Sequence, residues 1–529
     1  MIFTLLSSTL LFAEDEWDVN SPIGESIWVD IHVNEGTWMS LDVSPDGQKI
    51  VFDLLGDLYT LPIDGGIATP LTSGMAWDMQ PMFSQDGSYI VFTSDRGGGD
   101  NLWLLDLYET EKEPQPITTE TFRLLNSPVL SPDDQYVVGR KHFTAGRSLG
   151  AGELWMYDLK GGKGIALTKK NNDQKDLGEP AFSPDGKYVY YSKDATSGDY
   201  FEYNKDPNQQ IYVIERLELA TGKIQRITGG SGGAIRPTPS PDGDSLAFLR
   251  RKRNKTVLML RDLQSGEEQE ITDNLDHDMQ ETWAIHGVYP RIDWTPDGNN
   301  IFYWAKGKIW NVDVWTGVRK EIPFSVEDKR EVRPALRFPI DVAPEYFDIK
   351  MIRDAVISPN REQVVFQALG KLWIKDLPNG IPRRLTSQED YVELEPSWSQ
   401  DGKHVLFASW HDDLLGGIHK ASVKRGKIED IDVGEGHFRE PIELVTGEIV
   451  YRRSSGGWLV SPLWSDDTGI FLWKKKHHQP QKLLEYGYNL HLADDGFLYF
   501  NHRSAGELTL ARFDLETRDV VNIAKGEML

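Results

Sequence analysis

The sequence predicts an all-β protein made of tandem β-propellers with four-stranded blades, about ten repeats divided six plus four. Three observations lead there. A Ser-Pro-Asp-Gly turn returns along the chain about every 50 residues, the period of a propeller blade. Short runs of alternating apolar residues flank each copy. No segment sustains a 3.6-residue apolar period, so helices should be few.

Taken in chain order, residues 1–13 come first. Ile2 to Ala13 is a mostly apolar stretch followed at once by Glu14-Asp15-Glu16. Twelve residues make a helix of about 18 Å, too short for a bilayer core of about 30 Å. The stretch reads as a signal peptide cleaved after Ala13, which would make the mature chain periplasmic or secreted. It lacks a basic n-region, so a misplaced start codon or a buried first strand is the alternative. No other apolar run approaches 18 residues, and no membrane insertion of the mature chain is expected.

The turns follow: Ser44-Pro45-Asp46-Gly47, Ser84 to Gly87, Ser131 to Asp134, Ser183 to Gly186, Ser240 to Gly243 and Thr295 to Gly298. After a gap come Ser358 to Arg361, Ser399 to Gly402, a degenerate Leu444 to Gly447 and Ala493 to Gly496. Pro presets φ at the second position, and Ser, Asp and Gly suit the others of a type I turn. A β-rich run follows each turn, as in Lys49-Ile-Val-Phe52. Then comes a run such as Asn101-Leu-Trp-Leu-Leu105, and a last one ends in Leu71-Thr72 or Ile227-Thr228. Four strands per period make a blade.

The copies fall into two sets. Val43-Ser-Pro45 is matched by Ile357-Ser-Pro359, 314 residues later, and Gln80-Pro81 by Glu395-Pro396, 315 later. Residues 28–330 should form a first, six-bladed propeller, and 338–529 a second with four blades, joined by a Pro- and charge-rich linker. A four-bladed ring is one outcome for the second; an incomplete ring, in a chain that is the front part of something longer, is the preferred one.

Composition narrows the functions. Lys and Arg number 57 against 82 Asp and Glu, a net charge of −25. So acidic a chain repels phosphate backbones, and nucleic-acid binding is excluded. Without cysteine there is no thiol nucleophile, disulfide or thiolate metal site.

The turns, with the stretch Ser94 to Trp103, resemble the tricorn-protease and TolB type of WD-like propeller repeat over roughly residues 28–526. That likeness implies architecture and leaves activity open. The stretches Gly36 to Pro62, Gln388 to Trp398 and Gly436 to Pro441 are also similar to the N-terminal region of large bacterial amidohydrolase-related proteins. In that family tandem propellers precede a metal-dependent barrel, so hydrolase activity is implied only through a domain outside this sequence.

The chain's own residues offer no catalytic set, no metal site and no cofactor site. None of the 12 histidines stands in His-x-His or His-Glu-x-x-His spacing. His477-His478 project to opposite faces of a strand. Asp276, His277, Asp278 and Glu281 form an acidic knot, expected to be a solvated loop rather than a Ca²⁺ site. Gly229-Gly-Ser-Gly-Gly233 matches a nucleophile elbow in letters only, since it lies between blades with no helix after it; a flexible crossover is expected. Arg250-Arg-Lys-Arg253 should be a solvated hairpin tip.

What remains is a binding surface. Residues entering the innermost strands should point to the channel mouth: Gln80, Ser127, Glu179 and Arg236 in the first ring, Glu395 and Glu440 in the second, with Trp77, Asp78 and Arg123 just before. Mixed charge with an aromatic suits a protein or peptide ligand. Two roles follow: a non-catalytic propeller that gates or recruits substrate for a hydrolase, or a stand-alone TolB-like envelope scaffold for protein partners.

Overall fold

The computed structural model describes residues 18–526, apart from 110–112, 123, 145–149, 171, 203–204, 206–208, 335–337, 455–466 and 476–478. The expected leader at 1–13, Arg123 and the His477-His478 pair lie outside the described residues. Among the described residues there is no helix, and the strands form ten four-stranded antiparallel sheets and one three-stranded sheet. The fold is a set of tandem propeller blades. The chain divides into two compact units between Phe338 and Pro339, with blades 1–6 in the first and 7–10 in the second.

The recurring turn explains its own sequence. Ser44 Oγ donates to Asp46 Oδ1 at 2.6 Å and accepts from Lys49 N at 2.9 Å. Gly47 takes φ +69°, a left-handed position that favours glycine. A Cβ on Gly47 would lie 3.5 Å from Pro296 Cδ, and one on Gly87 would lie 3.7 Å from Pro45 Cδ. Gly47, Gly87, Gly186, Gly243, Gly298 and Gly402 each seat in this way on the proline of the preceding blade, and the Gly47–Pro296 contact joins blade 6 back to blade 1. The recurring threonine also has a use: Thr72, Thr118, Thr168 and Thr228 each accept from a backbone N–H of the third strand at 2.8–3.0 Å.

Ring closure in the first unit is reinforced by an added sheet. Ile27–Val33 pairs antiparallel with Phe324–Val332, whose start runs parallel to Gly66–Ile67 of blade 1. Arg330 of this strap pairs with buried Asp57, and Tyr59 OH donates to Asp328 Oδ2 at 2.9 Å. Phe52, Tyr59, Trp304 and Phe324 are buried in the core between blades 1 and 6. Each such aromatic stabilises the join by about 2–3 kcal/mol.

The second unit stacks blades 7–10 in chain order, with separate apolar clusters between neighbours. Blade 7 differs from its counterpart blade 1. Val43 is 6% exposed where Ile357, 314 residues on, is 59% exposed. Leu41 is buried, whereas Ala355 is exposed.

Candidate functional site

The site starts from a bulge. Four residues before the first turn position, Gln80, Ser127, Glu179, Arg236, Asp354, Glu395, Glu440 and Asn489 all have φ between 47° and 57°. The ladder shifts register there in each blade. A bulge turns its side chain out of the pleat, here towards the next blade. Gln80 Oε1 accepts from Ser127 N, Glu179 Oε2 from Arg236 N and Glu395 Oε2 from Glu440 N, each at 2.8 Å. Glu440 Oε2 accepts from Leu490 N at 2.9 Å, and Asp53 Oδ2 from Gln80 N at 2.7 Å. The bulge residues therefore link the blades in a relay. Burial pushes the Asp53 carboxyl up to about 7 against these hydrogen bonds.

In the first ring the same residues hold a plug. Residues 273–292, between the last strand of blade 5 and the first of blade 6, cross the channel mouth. Gln80 Nε2 donates to His286 O at 2.7 Å, Val288 N donates to Glu179 Oε1 at 2.8 Å, and Arg236 donates to Tyr289 O. Arg236 is buried and lies 3.2 Å from Glu179 Oε1. Burial lowers its guanidinium and the glutamate opposes that. Trp283 Nε1 donates to Gly150 O at 3.3 Å, and His286 Nε2 meets Asp100 Oδ2 at 2.7 Å. Asp278, wholly buried, takes Arg251 Nη2 at 2.6 Å and Thr256 Oγ1 at 2.7 Å.

Three expectations change here. The acidic knot is the packed foot of the plug rather than a wholly solvated loop: Asp278 is buried, Asp276 and Glu281 are half-buried, and His277 is exposed. No group of three or more metal-ligating side chains occurs among the described residues. The basic run is only partly at a solvated tip, because Arg251 is buried against Asp278 and Glu281. The end of the glycine-rich segment is packed, while Gly229 to Ser231 are exposed: Gly232 O accepts from Arg251 N at 2.9 Å and from Gln280 Nε2 at 3.2 Å.

Beside the plug lies a cleft. A cavity of about 430 Å³ is walled by Trp38, Trp77, Met79 and Met279, with Asp95, Asp100 and His286 as its polar groups. A deeper recess of about 130 Å³ shares Trp38, Trp77, Met79 and His286 and reaches Asp53, Asp78 and Gln80. Trp77 is 52% exposed, and its backbone N–H donates to Asp95 Oδ1 at 2.8 Å. Its ring lies over Gly56, where a Cβ would come within 2.7 Å. Trp38 packs on Tyr289 and Trp304, with centroids 5.8 and 6.0 Å apart. Asp78 is wholly buried and pairs with Arg96.

A second cavity of about 350 Å³ lies inside the ring, among the turn prolines of five blades and Asp42, Arg236, Arg291 and Asp293. Asp42 Oδ2 accepts from Phe83 N at 2.8 Å and Asp293 Oδ2 from Val43 N at 2.9 Å, so both carboxylates tie adjacent blades. Burial raises both carboxyls and Arg291 opposes.

In the second unit, Glu395 pairs with Arg439 and Glu440 with Arg452. Blade 8 holds an arrangement that the spacing of the chain did not suggest. His419 Nε2 meets Ser409 Oγ at 2.7 Å and His419 Nδ1 meets Asp430 Oδ1 at 2.7 Å. The order of exposure is the reverse of a catalytic one: Ser409 is buried and Asp430 is exposed. Burial lowers the His419 imidazole, and its ring stacks on Tyr391 at 4.7 Å. It packs the sheet.

Of the residues singled out from sequence, Trp77, Asp78 and Gln80 line the cleft and recess, and Arg236 the inner cavity. Glu179 is engaged with Ser192, Arg236 and the plug, while Glu395 and Glu440 sit in the relay of the second unit. Trp38, Met79, Asp95, Asp100, Met279 and His286 were not anticipated. One signal pointed to the plug. From the threonine of one blade to the next turn the chain runs 12–15 residues, as from Thr72 to Ser84, but 23 from Thr272 to Thr295.

Residues 30–200 match the family described as the TolB beta propeller domain, so these blades are of TolB type. The chain is 20% identical over 482 residues to dipeptidyl-peptidase 5 of Porphyromonas gingivalis, covering 76% of this chain and 66% of that protein. It is 30% identical over 164 residues to the uncharacterized peptidase YuxL of Bacillus subtilis, covering 30% of this chain and 22% of that one. The chain thus spans less than two thirds of the length of these relatives. Among solved structures it is similar to TolB from Acinetobacter baumannii, with 17% identity, 55% of this chain and 64% of that one covered, and a TM-score of 0.42. It is also similar to the tricorn protease, with 14% identity, coverage of 92% and 44%, and a TM-score of 0.40.

Proposed function

We propose that this TolB-type propeller protein is a non-catalytic binding module that holds a peptide, or an extended segment of a protein partner, at the plugged mouth of its first ring. One observation carries the reading. Residues 273–292 cross the channel, so a ligand does not thread through the ring, yet the plug leaves beside it a cleft walled by Trp38, Trp77, Met79 and Met279. Exposed aromatic and thioether walls around a few polar groups are what peptide recognition uses. Recruitment at the mouth is therefore favoured over gating through the channel.

The same reading places the mature chain in the periplasm or outside the cell, on the apolar stretch Ile2 to Ala13. No described helix is long and apolar enough to cross a membrane. It makes the two propellers the substrate-recruiting part of a hydrolase-like protein, of amidohydrolase or peptidase chemistry supplied elsewhere. The exposed flank of blade 7 favours this over a stand-alone scaffold, because another blade packed there would bury Ala355 and Ile357. Peptides selected from a random display library against the whole chain should bind it and lose about tenfold or more in affinity on Trp77→Ala, the loss expected of a central aromatic anchor. No enrichment of any peptide, or binding indifferent to Trp77, overturns the reading.

A further inference from the structure

Acidic side chains outnumber basic ones around the cleft. Asp95 and Asp100 stand at its rim, and Asp53 and Asp78 lie in the recess behind it. Among the described residues no lysine or arginine lines either cavity. His286 is engaged with Asp100, and one oxygen of Asp78 is paired with Arg96. The other oxygen, Asp78 Oδ1, is buried with no hydrogen-bond partner among the described residues. A buried acceptor left unmatched favours a donor that reaches it. Trp38 and Trp77 line the same recess as Asp78.

We propose that the cleft is a cation site, taking an alkylammonium or guanidinium group between the Trp38 and Trp77 rings and the carboxylates of Asp78 and Asp95. The chemistry is selective on three counts. An indole face attracts a cation within about 6 Å of its centroid. A carboxylate oxygen forms its strongest hydrogen bonds with charged N–H donors. An anionic group would face Asp78, Asp95 and Asp100, while His286 is already engaged by Asp100 and Arg96 by Asp78. The apolar stem of a lysine or arginine suits the thioether walls of Met79 and Met279, while an α-ammonium terminus offers the same charge on a shorter reach. This inference rests on the peptide-binding reading and names what the peptide must carry.

Four small probes on the whole chain separate the sources: Nα-acetyl-lysine amide and Nα-acetyl-arginine amide carry a side-chain cation, norleucine amide an α-ammonium, and Nα-acetyl-norleucine amide no charge. Binding is read by tryptophan fluorescence and by saturation-transfer NMR. At least one cationic probe should bind about fivefold or more tighter than the neutral one, the ratio that a cation–π contact of about 1 kcal/mol provides. Asp95→Asn should weaken that probe about threefold or more and leave the neutral one unchanged. Asp95 is preferred to buried Asp78 because an asparagine there keeps its bond to Trp77 N, and Trp77→Leu is a second, surface variant. Equal binding of charged and neutral probes, failure of all four to bind, or indifference to both variants overturns the cation site. A cation-selective cleft in a chain that selects no peptide would sink the peptide reading alone. Selected peptides lacking any free amine or guanidinium would sink this inference and leave that reading standing.

Discussion

Glu179→Ala should loosen the plug, and its cost can be worked from four contacts. The carboxylate accepts from Ser192 Oγ at 2.6 Å, Arg236 N at 2.8 Å and Val288 N at 2.8 Å, and it faces the Arg236 guanidinium at 3.2 Å. Truncation leaves a buried arginine without its counter-charge, which costs about 3–5 kcal/mol. It also orphans the buried Val288 N–H at about 1–3 kcal/mol before relaxation, while Arg236 N keeps Ser192 Oγ at 3.0 Å. Movement of the plug and entry of water should recover part of this, leaving about 4 kcal/mol. Glu179→Gln should cost less, because Gln80 does the corresponding work two ring positions away, accepting from Ser127 N and Thr93 Oγ1. Hydrogen exchange read by mass spectrometry reports the site directly. Amides of segments 234–238 and 284–290 should exchange about a thousandfold faster in the alanine variant, since each 1.4 kcal/mol is a factor of ten. The glutamine variant should fall between. Exchange within threefold of wild type in Glu179→Ala would refute the claim that this carboxylate fastens the plug.

Two further expectations concern stability. Burial raises Asp53 to about 7 in the folded chain, against about 3.9 when unfolded. The folded state therefore retains a proton that the unfolded state releases, and the contribution is full below pH 4 and lost as pH rises through 7. At about 1.4 kcal/mol per pH unit the span is about 4 kcal/mol, and Asp53→Asn should flatten the fall in first-unit stability between pH 5 and 8 seen in urea titrations. An unchanged slope would contradict this. In the paired blades, Val43→Lys should destabilise the first unit by about 3 kcal/mol or more, while Ile357→Lys should change the second by less than about 0.5 kcal/mol. Equal costs in thermal melts would mean the flank of blade 7 is covered in solution.

The blades were legible because their chemistry is local. Ser44, Asp46 and Gly47 satisfy one another within a single turn, and Thr72 caps the strand of its own blade, so the same letters recur in most copies. The bulge residues were legible as positions but ambiguous in use, because Gln80, Glu179 and Arg236 stand at the channel and spend their polar atoms on the neighbouring blade and on the plug. The plug was the least legible part. Asp278 pairs with Arg251, 27 residues away, and Val288 with Glu179, 109 away. An acidic knot looks solvated until its arginine partner is known. Trp38 and Met279, which both line the cleft, are 241 positions apart, and no local pattern brings them together.

The central claim is that ligand is held at the plugged mouth of the first ring, and a hydrogen-exchange footprint of the tightest selected peptide tests it most directly. The account predicts protection of segments 76–80, 95–100 and 279–287, with no change at the turns 44–47, 131–134 and 183–186 on the other face. Protection confined to those turns, or to the second unit, would contradict it.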